Sequence, residues 1–284
     1  MNSRPVTVSS QKLDVLRDIG VTRVSTGVQS FDDNIRKQAN LVGSGKEAMR
    51  ALELTAKHFR NFNIDLIYGH PHQTLVDWYQ TVIEIAALRV PSITLYRLEV
   101  KERTTSLKKI YLREAQVFVD ERTARHQYFI AKGILEQCSY VESPLGWWIL
   151  KDTLSAEPAR TNHLTTWKKA TAYIGLGQGA FTLAATVYYE NQNRHALWAD
   201  DISKGRLPVK SAKLVPIYLT EINQLLRIIR VAKSFVLKDI INGSALRPFE
   251  SVLKGFLDAQ VNNGLFVRDI EAYKLTEAGK SLVH

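Results

Sequence analysis

The fold class is indicated most clearly by Asn63-Ile64-Asp65-Leu66-Ile67-Tyr68-Gly69-His70-Pro71-His72-Gln73-Thr74. It is typical of an apolar strand that carries one carboxylate, Asp65, and ends on a turn restrained by glycine and proline. Upstream, the segment from Arg23 to Phe31 also closes a short strand, with a glycine and the amide side chain of Gln29. Polar groups at the ends of neighbouring parallel strands are how an α/β barrel builds a ligand site. For Asp65 and Gln29, a ligand contact and a local turn or capping bond are equal alternatives at this point.

Helical and extended patterns alternate over the first hundred residues. Apolar residues at helical spacing predict helices, and short apolar runs next to turn signals predict strands. Strands separated by helices of this length are typical of successive βα units of a parallel sheet. The predicted helices are 11–19, 46–59 and 75–88, and the predicted strands are 23–26, 64–68 and 92–98.

The pattern changes after Thr104. A long helical region, 106–137, leads into an aromatic segment, 140–150, and then into a glycine-rich turn. Two more helices, over 216–240 and 248–262, precede a terminal segment that is typical of a short hairpin and a closing helix. This order of elements resembles a winged-helix-like lobe.

Composition limits the class of protein. The chain has 284 residues, 45% hydrophobic and 23% charged, which is ordinary for a soluble globular protein. No apolar run is long enough for a membrane span, and the first residues lack the apolar core of a signal peptide, so we expect a cytoplasmic protein. The net charge of +10 would favour an anionic partner, but the cations form only short, mixed clusters, which favours general surface basicity.

Three local patterns could be either structural or functional. The segment Gly175 to Ala180 matches the dinucleotide-binding fingerprint, but it lacks the βαβ context of that motif. Residues 188–193, where an acidic residue should end a second strand, look like a polar turn. A backbone turn that lines a pocket is therefore favoured. His70 and His72 form an i, i+2 pair without a third ligand at metal spacing, so no metal site is predicted. Cys138, the single cysteine, excludes an internal disulfide and any cluster held by several cysteines of this chain.

Five segments together resemble the oxygen-independent coproporphyrinogen III oxidase family of radical S-adenosylmethionine (SAM) proteins, which also includes haem chaperones, methyltransferases and cyclopropanases. The resemblance covers nearly the whole chain. The segments are GVQSF (27–31), NIDLIYGHPHQT (63–74), LYRL (95–98) with Thr104 after it, YIGLGQGA (173–180) and LTEAGK (275–280).

The resemblance implies an α/β fold: the C-terminal half of a partial (β/α)6 barrel, followed by a helical, winged-helix-like domain. The implied divisions are 1–105 for the last three βα units, 106–215 for a helical and aromatic connection with the glycine-rich turn, and 216–284 for the family's C-terminal domain. Gln29 and Asp65 would contact SAM, and Gly175 and Gly177 would lie near the same site. The resemblance singles out no catalytic residue and no metal ligand in this chain.

The sequence also departs from the family. The family's C-x-x-x-C-x-x-C loop, which holds a [4Fe-4S] cluster, is absent, Leu41 stands where the family has a second SAM-contacting arginine, and His70 replaces a leucine. The family's His-Asn pair appears transposed, as Asn162-His163. Because one cysteine cannot hold such a cluster, we expect the C-terminal part of a radical SAM enzyme, produced by truncation, a split gene or a fragmentary gene model, that is inactive alone. In the split-gene alternative, a separate N-terminal fragment carries the cluster. We also expect the strand at Val24 to have an unpaired edge.

Two classes of function follow. The first is a radical SAM protein acting on a small molecule, a tetrapyrrole or another aromatic substrate. The second is a haem-binding or haem-chaperone-type protein with His163, His70 or His72 as axial ligand. A nucleic-acid-binding winged helix is disfavoured because the terminal stretch mixes acidic and basic residues; neither nucleic acid nor a membrane is an expected partner.

Overall fold

The computed structural model describes residues 2–3, 5–99, 118–142, 146–153, 172–184, 186–231 and 234–282. The chain divides into two compact units, residues 1–161 with 283–284, and residues 162–282. The domain limits expected at residues 105 and 215 stay predictions.

The first unit is built on a six-stranded sheet in the order β1-β2-β3-β4-β6-β5. The first four strands are parallel, and β6 adds antiparallel to β4 and to β5. This agrees with the expected α/β class and its parallel βα units. The strands are β1 (Asn2–Ser3), β2 (Val24–Gln29), β3 (Phe62–Tyr68), β4 (Ser92–Arg97), β5 (Tyr140–Glu142) and β6 (Trp147–Leu150).

Five helices are described in this unit, and several begin at side chains that cap them. A capping box joins Ser44 to Glu47 at one helix and Thr74 to Asp77 at another, so each side chain satisfies an otherwise free backbone N–H. The helices are α1 (Ser10–Asp18), α2 (Asp33–Gln38), α3 (Gly45–His58), α4 (Leu75–Ala87) and α5 (Glu121–Gln137).

The strands place alternate residues on opposite sides of the sheet. On β3, Ile64 and Leu66 belong to the apolar core that packs against the helices, while Asn63 and Asp65 lie on the other face. Within the core, Trp78 of α4 is fully buried, and its indole Nε1 donates to the Gln127 carbonyl of α5 at 2.7 Å. The apolar side of the sheet is therefore covered by helices, and the polar side carries Asn63 and Asp65.

Two expectations about strand edges and lengths are corrected. The edge of β2 is not unpaired, because Asn2 and Ser3 of β1 pair with Ser25 and Thr26 in parallel register. Strand β2 also runs three residues beyond Thr26, through Gly27 and Val28 to Gln29. Pairing with β3 extends it although glycine is a poor strand former.

The second unit contains two three-stranded antiparallel sheets, in the orders β7-β8-β9 and β10-β12-β11. The helix expected over 216–240 is interrupted, because a two-residue strand separates two helices. The described part matches the expected winged-helix-like order of helices, hairpin and terminal helix. Its elements are β7 (Phe181–Ala184), β8 (Val187–Asn191), α6 (His195–Ser203), β9 (Val209–Leu214), α7 (Ile217–Val231), β10 (Phe235–Val236), α8 (Leu237–Ile241), α9 (Glu250–Asn262), β11 (Phe266–Asp269), β12 (Ala272–Leu275) and α10 (Glu277–Leu282).

Candidate functional site

Gln29 and Asp65 lie on adjacent strands of the first unit. Gly27 pairs with Asp65, and a register shift then brings Gln29 opposite Leu66. Adjacent strands lie about 4.8 Å apart, so the backbones of the two motif residues lie close together in the sheet. The structure thus brings together the two residues that the sequence nominated for the same ligand.

Asp65 is partly buried and held by neighbours on three strands. One carboxylate oxygen accepts from the Ser25 hydroxyl at 3.2 Å and the other from the Asn63 amide at 2.8 Å. Burial raises the pKa of Asp65, and this shift is only partly offset by the Ser25 hydroxyl, the Arg23 charge, and contacts with Thr94 and Asn63. The protein therefore keeps a carboxylate in a place where ionising it costs free energy.

A contact between a cation and an aromatic ring lies beside the Asp65 carboxylate. The Arg23 guanidinium carbon lies 4.9 Å from the ring centroid of Trp147, on β6. Arg23 is also the charged side chain that lowers the pKa of Asp65. A guanidinium packed on an indole face keeps its charge while part of its surface leaves water. The polar face therefore carries one positive and one negative group near each other.

Gln29 has an unusual backbone and an unusual side chain. Its φ of 68° lies in the left-handed region, which costs a residue with a Cβ about 1 kcal/mol or more. Its side-chain oxygen, Oε1, is buried and has no hydrogen-bond partner in the part of the chain that the structure describes. A buried amide oxygen without a donor is an acceptor that a ligand could satisfy.

The loop around Gln29 is held by Arg36 of α2, which is 3% exposed. This role could not be predicted from the sequence, because an arginine in a short helix usually points to solvent. Burial lowers the pKa of Arg36, and the charges of Asp33 and Glu47 oppose that shift. Its guanidinium donates to four backbone carbonyls at 2.6 to 2.9 Å, those of Val28, Ser30, Val42 and Gly43.

The two loop histidines do not form a pair. His70 is 2% exposed and His72 is exposed, so their rings lie in opposite environments. Neither ring nitrogen of His70 has a hydrogen-bond partner among the described residues, and burial lowers the pKa of His70 to about 4. The loop itself is organised by Gln73, whose side-chain oxygen accepts from the backbone N–H groups of Gly69 and His70. Asn162 and His163 lie outside the described residues.

Gly175 and Gly177 belong to the second unit, where they form a turn before β7. A Cβ on Gly175 would lie 2.3 Å from the Phe181 carbonyl oxygen, and Gly177 has a φ of 95°, so both positions require glycine. Asn191 fixes the turn by donating to both glycine carbonyls, at 3.1 and 2.9 Å. The turn leads into an antiparallel strand and not a helix, which removes the dinucleotide interpretation. Residues 188–190, expected as a polar turn, are part of β8.

Cys138 lies away from the polar face. It follows α5 and lines a groove of about 570 Å³ between α4 and α5, beside Ile83, Phe129 and Ile134. Among the described residues, no group of three His, Cys, Asp or Glu side chains is placed to hold a metal ion. In the same part of the chain, no helix is long and apolar enough to cross a membrane.

Comparisons with known proteins agree with this geometry. Residues 1–85 match the radical SAM superfamily. Over 85 residues the chain is 35% identical to an oxygen-independent coproporphyrinogen III oxidase of Pseudomonas aeruginosa, covering 30% of this chain and 18% of that protein. Over 105 residues it is 31% identical to the heme chaperone HemW of Escherichia coli, covering 37% of this chain and 28% of that protein. The chain is therefore similar to the radical SAM superfamily over residues 1–85 and to HemN- and HemW-type proteins over about a third of its length.

The solved structures extend the likeness in fold. Coproporphyrinogen III oxidase (HemN) from Escherichia coli superposes with a TM-score of 0.77 at 16% identity, covering 99% of this chain and 67% of that one. At this identity the match shows the fold alone. The chain spans less than a third of the length of the two curated relatives named above.

Radical SAM proteins in general use SAM and a [4Fe-4S] cluster, and the two groups fit this HemN-like chain differently. SAM fits these two neighbouring residues, because the Gln29 oxygen without a described partner and the Asp65 carboxylate are both acceptors for a ligand that donates. The cluster does not fit, because three thiolates are needed and the sequence contains one cysteine.

Proposed function

We propose that this HemN-like chain binds SAM through Gln29 and Asp65 and serves a radical SAM reaction on a tetrapyrrole or other aromatic substrate. These 284 residues contain one cysteine, so they are catalytically inactive unless three thiolates for the cluster are supplied from outside them. The observation that carries the proposal is the buried, unpartnered Oε1 of Gln29 on the strand next to a desolvated Asp65.

The chemistry of the two acceptors supports a nucleoside. The vicinal hydroxyl groups of a ribose are donors that an amide oxygen and a carboxylate can each accept. A hydrogen bond to the ionised Asp65 would be charge-assisted and would offset part of its burial cost. SAM combines such a ribose with a sulfonium-linked methionine, whose bonds are the ones that radical SAM chemistry breaks.

The substrate class rests on the relatives and on charge. Two relatives carry the names coproporphyrinogen III oxidase and heme chaperone. The chain's net charge of +10 suits a substrate that bears carboxylates. Methyltransferase or cyclopropanase chemistry is the alternative within the family. Measuring whether the cluster-loaded protein converts a tetrapyrrole would distinguish that alternative from the proposed reaction.

Calorimetric titration with SAM tests the binding part. Gln29→Leu and Asp65→Asn should each weaken binding by about tenfold or more, since each removes a hydrogen bond worth 1.4 kcal/mol or more when one partner is buried. The control is Gln38→Leu, an exposed glutamine at the end of α2, which should bind like wild type. Equal affinity of wild type and Gln29→Leu would contradict the proposal.

Anaerobic reconstitution tests the cluster part. Incubated with iron and sulfide, the chain should stay colourless and release no 5′-deoxyadenosine. Co-expression with a fragment bearing a C-x-x-x-C-x-x-C loop should restore both colour and SAM cleavage. A stoichiometric cluster on the chain alone, or neither property after the missing cysteines are supplied, would contradict the proposal.

Haem binding is the second candidate, favoured by one observation. His70 is buried with both ring nitrogens unpartnered, so it holds a neutral imidazole that is free to ligate. Titration with haemin should then shift the Soret band, and His70→Leu should abolish the shift. His72→Gln serves as the exposed control, and His163→Gln tests the third candidate ligand. A Soret shift that persists in His70→Leu, or none at micromolar haemin, would remove His70 as the ligand.

A further inference from the structure

We propose that Asn63 is the positioning residue of the site: its amide orients the Asp65 carboxylate toward the ligand, and Trp147 fixes the direction of that amide. The inference rests on the proposed role of Asp65 in SAM binding and deepens it. It assigns a function to a strand residue next to the motif carboxylate and to a tryptophan from the antiparallel hairpin.

Asn63 is 2% exposed and uses its whole side chain. The side-chain oxygen accepts from the Thr94 hydroxyl at 3.1 Å and from the Trp147 indole N–H at 3.2 Å. The amide nitrogen donates to the Ser25 hydroxyl at 2.9 Å and to the Asp65 carboxylate at 2.8 Å. Four hydrogen bonds to residues on four strands leave this side chain one orientation.

Trp147 decides which way the amide points. An indole N–H only donates, so the atom of Asn63 that faces it must be the oxygen. The amide nitrogen is then forced toward Ser25 and Asp65, and a flipped amide would set two N–H groups against each other. The orientation follows from donor chemistry, without any choice between the two ends of the amide.

All the hydrogen bonds of this network consequently point in one direction. Trp147 donates to Asn63, and Asn63 donates to Ser25. Ser25 and Asn63 then each donate to one oxygen of Asp65. A carboxylate at the end of such a chain is an acceptor on both oxygens, and hydrogen bonds to the charged form favour that form. Arg23 is the charged group that acts in the same sense. The remaining lone pairs of Asp65 are thereby kept for a donor on the ligand.

The first test needs no ligand. The carboxyl carbon of Asp65 is followed by NMR against pH in the wild type, in Asn63→Leu and in Trp147→Phe. The pKa of Asp65 should rise in Asn63→Leu, because the amide donor is gone, and rise less in Trp147→Phe, which keeps the ring and frees the amide to turn. The control is Ser92→Ala, a serine that pairs with Asn63 on the same face and donates to the Phe62 carbonyl, not to Asp65.

The second test measures function. Asn63→Leu should weaken SAM binding about 10- to 100-fold, in line with the loss of a charge-assisted hydrogen bond, and the pH above which binding becomes full should move upward. Ser92→Ala should leave both properties unchanged. If Asn63→Leu does not fold, Trp147→Phe carries the same two readouts with smaller changes.

The outcomes separate the two proposals. An unchanged Asp65 pKa in both Asn63→Leu and Trp147→Phe would overturn the positioning role, whatever SAM does. A wild-type chain that binds no SAM would overturn the proposed function, while the ligand-free titration would still decide the role of Asn63. A pKa rise accompanied by unchanged SAM affinity would show that Asp65 is oriented by Asn63 but that this orientation does not serve SAM, which contradicts the inference as stated.

Discussion

The two faces of the six-stranded sheet both bury their central side chains, but they are stabilised in different ways. On the side covered by helices, Ile64 and Leu66 are 0% exposed and lie among other apolar side chains. On the opposite side, Asn63 is 2% exposed and makes four directed hydrogen bonds. Burial therefore does not distinguish the faces. Apolar packing tolerates any orientation that fills space, whereas the polar face depends on which atom donates to which.

The largest effect is expected on the helix-covered side. Trp78→Ala removes a fully buried indole that lies 5.6 Å from the Tyr68 ring and donates to the Gln127 carbonyl, so we expect a loss of about 3 to 5 kcal/mol in the free energy of unfolding. Urea denaturation measures it. Tyr79→Ala, on the same helix but 44% exposed, should cost less than about 1 kcal/mol. Similar costs for the two variants would show that the core is not where the structure places it.

His70 should make stability depend on pH, because it is buried but has no hydrogen-bond partner. Its pKa is about 4 in the folded chain against 6.5 unfolded, so the unfolded state binds the extra proton between these values. Stability is therefore present above pH 6.5 and lost as the pH falls toward 4, by up to about 3 kcal/mol. In His70→Leu this loss should vanish, as measured by denaturation at pH 7, 5.5 and 4.

The matched control for that experiment is His72→Leu, which changes an exposed ring in the same loop. It should keep the pH dependence of the wild type. If His70→Leu and wild type lost stability in parallel between pH 7 and 4, a partner for the imidazole would have to exist.

The sequence predicted the parts of this contrast that are local in the chain. The run from Asn63 to Tyr68 alternates polar and apolar residues, so its two faces could be predicted, and parallel pairing then placed Gln29 near Asp65. The partner of Asn63 could not be predicted in this way. Trp147 arrives from a hairpin 84 residues later, and no local period records which strand such a hairpin will join.

Two other features were hidden for a physical reason. The left-handed backbone at Gln29 is imposed by the register shift against β3, because glutamine has no intrinsic preference for that conformation. The role of Gln73 depends on Gly69 and His70 presenting their N–H groups to one oxygen, which is a property of the folded turn. For the contact between Trp147 and Asn63, the sequence did contain one signal. Trp147 and Trp148 are adjacent on a strand, so their side chains must face opposite sides of the sheet.

On the polar face, removing a charge should stabilise the protein. Burial raises the pKa of Asp65, so ionising it costs free energy, and its contribution to stability falls as the pH rises through that pKa. Asp65→Asn should therefore unfold at higher urea concentration than wild type at pH 7, by about 1 kcal/mol, and the difference should shrink as the pH is lowered toward 4. SAM binding should be lost in the same variant. A variant less stable than wild type at pH 7 would mean that the hydrogen bonds of Asp65 outweigh its burial.

The smallest effect concerns the backbone at Gln29. Replacing it by glycine relieves the strain at φ 68°, and the gain of about 1 kcal/mol is partly offset by the greater freedom of glycine in the unfolded chain. We therefore expect stability within about 0.5 kcal/mol of wild type, or slightly above, together with weakened SAM binding. Gln38→Gly, in α2, has no strain to relieve and should lose about 1 kcal/mol. If the two variants lost equal stability, the left-handed conformation of Gln29 would not be a feature of the folded chain.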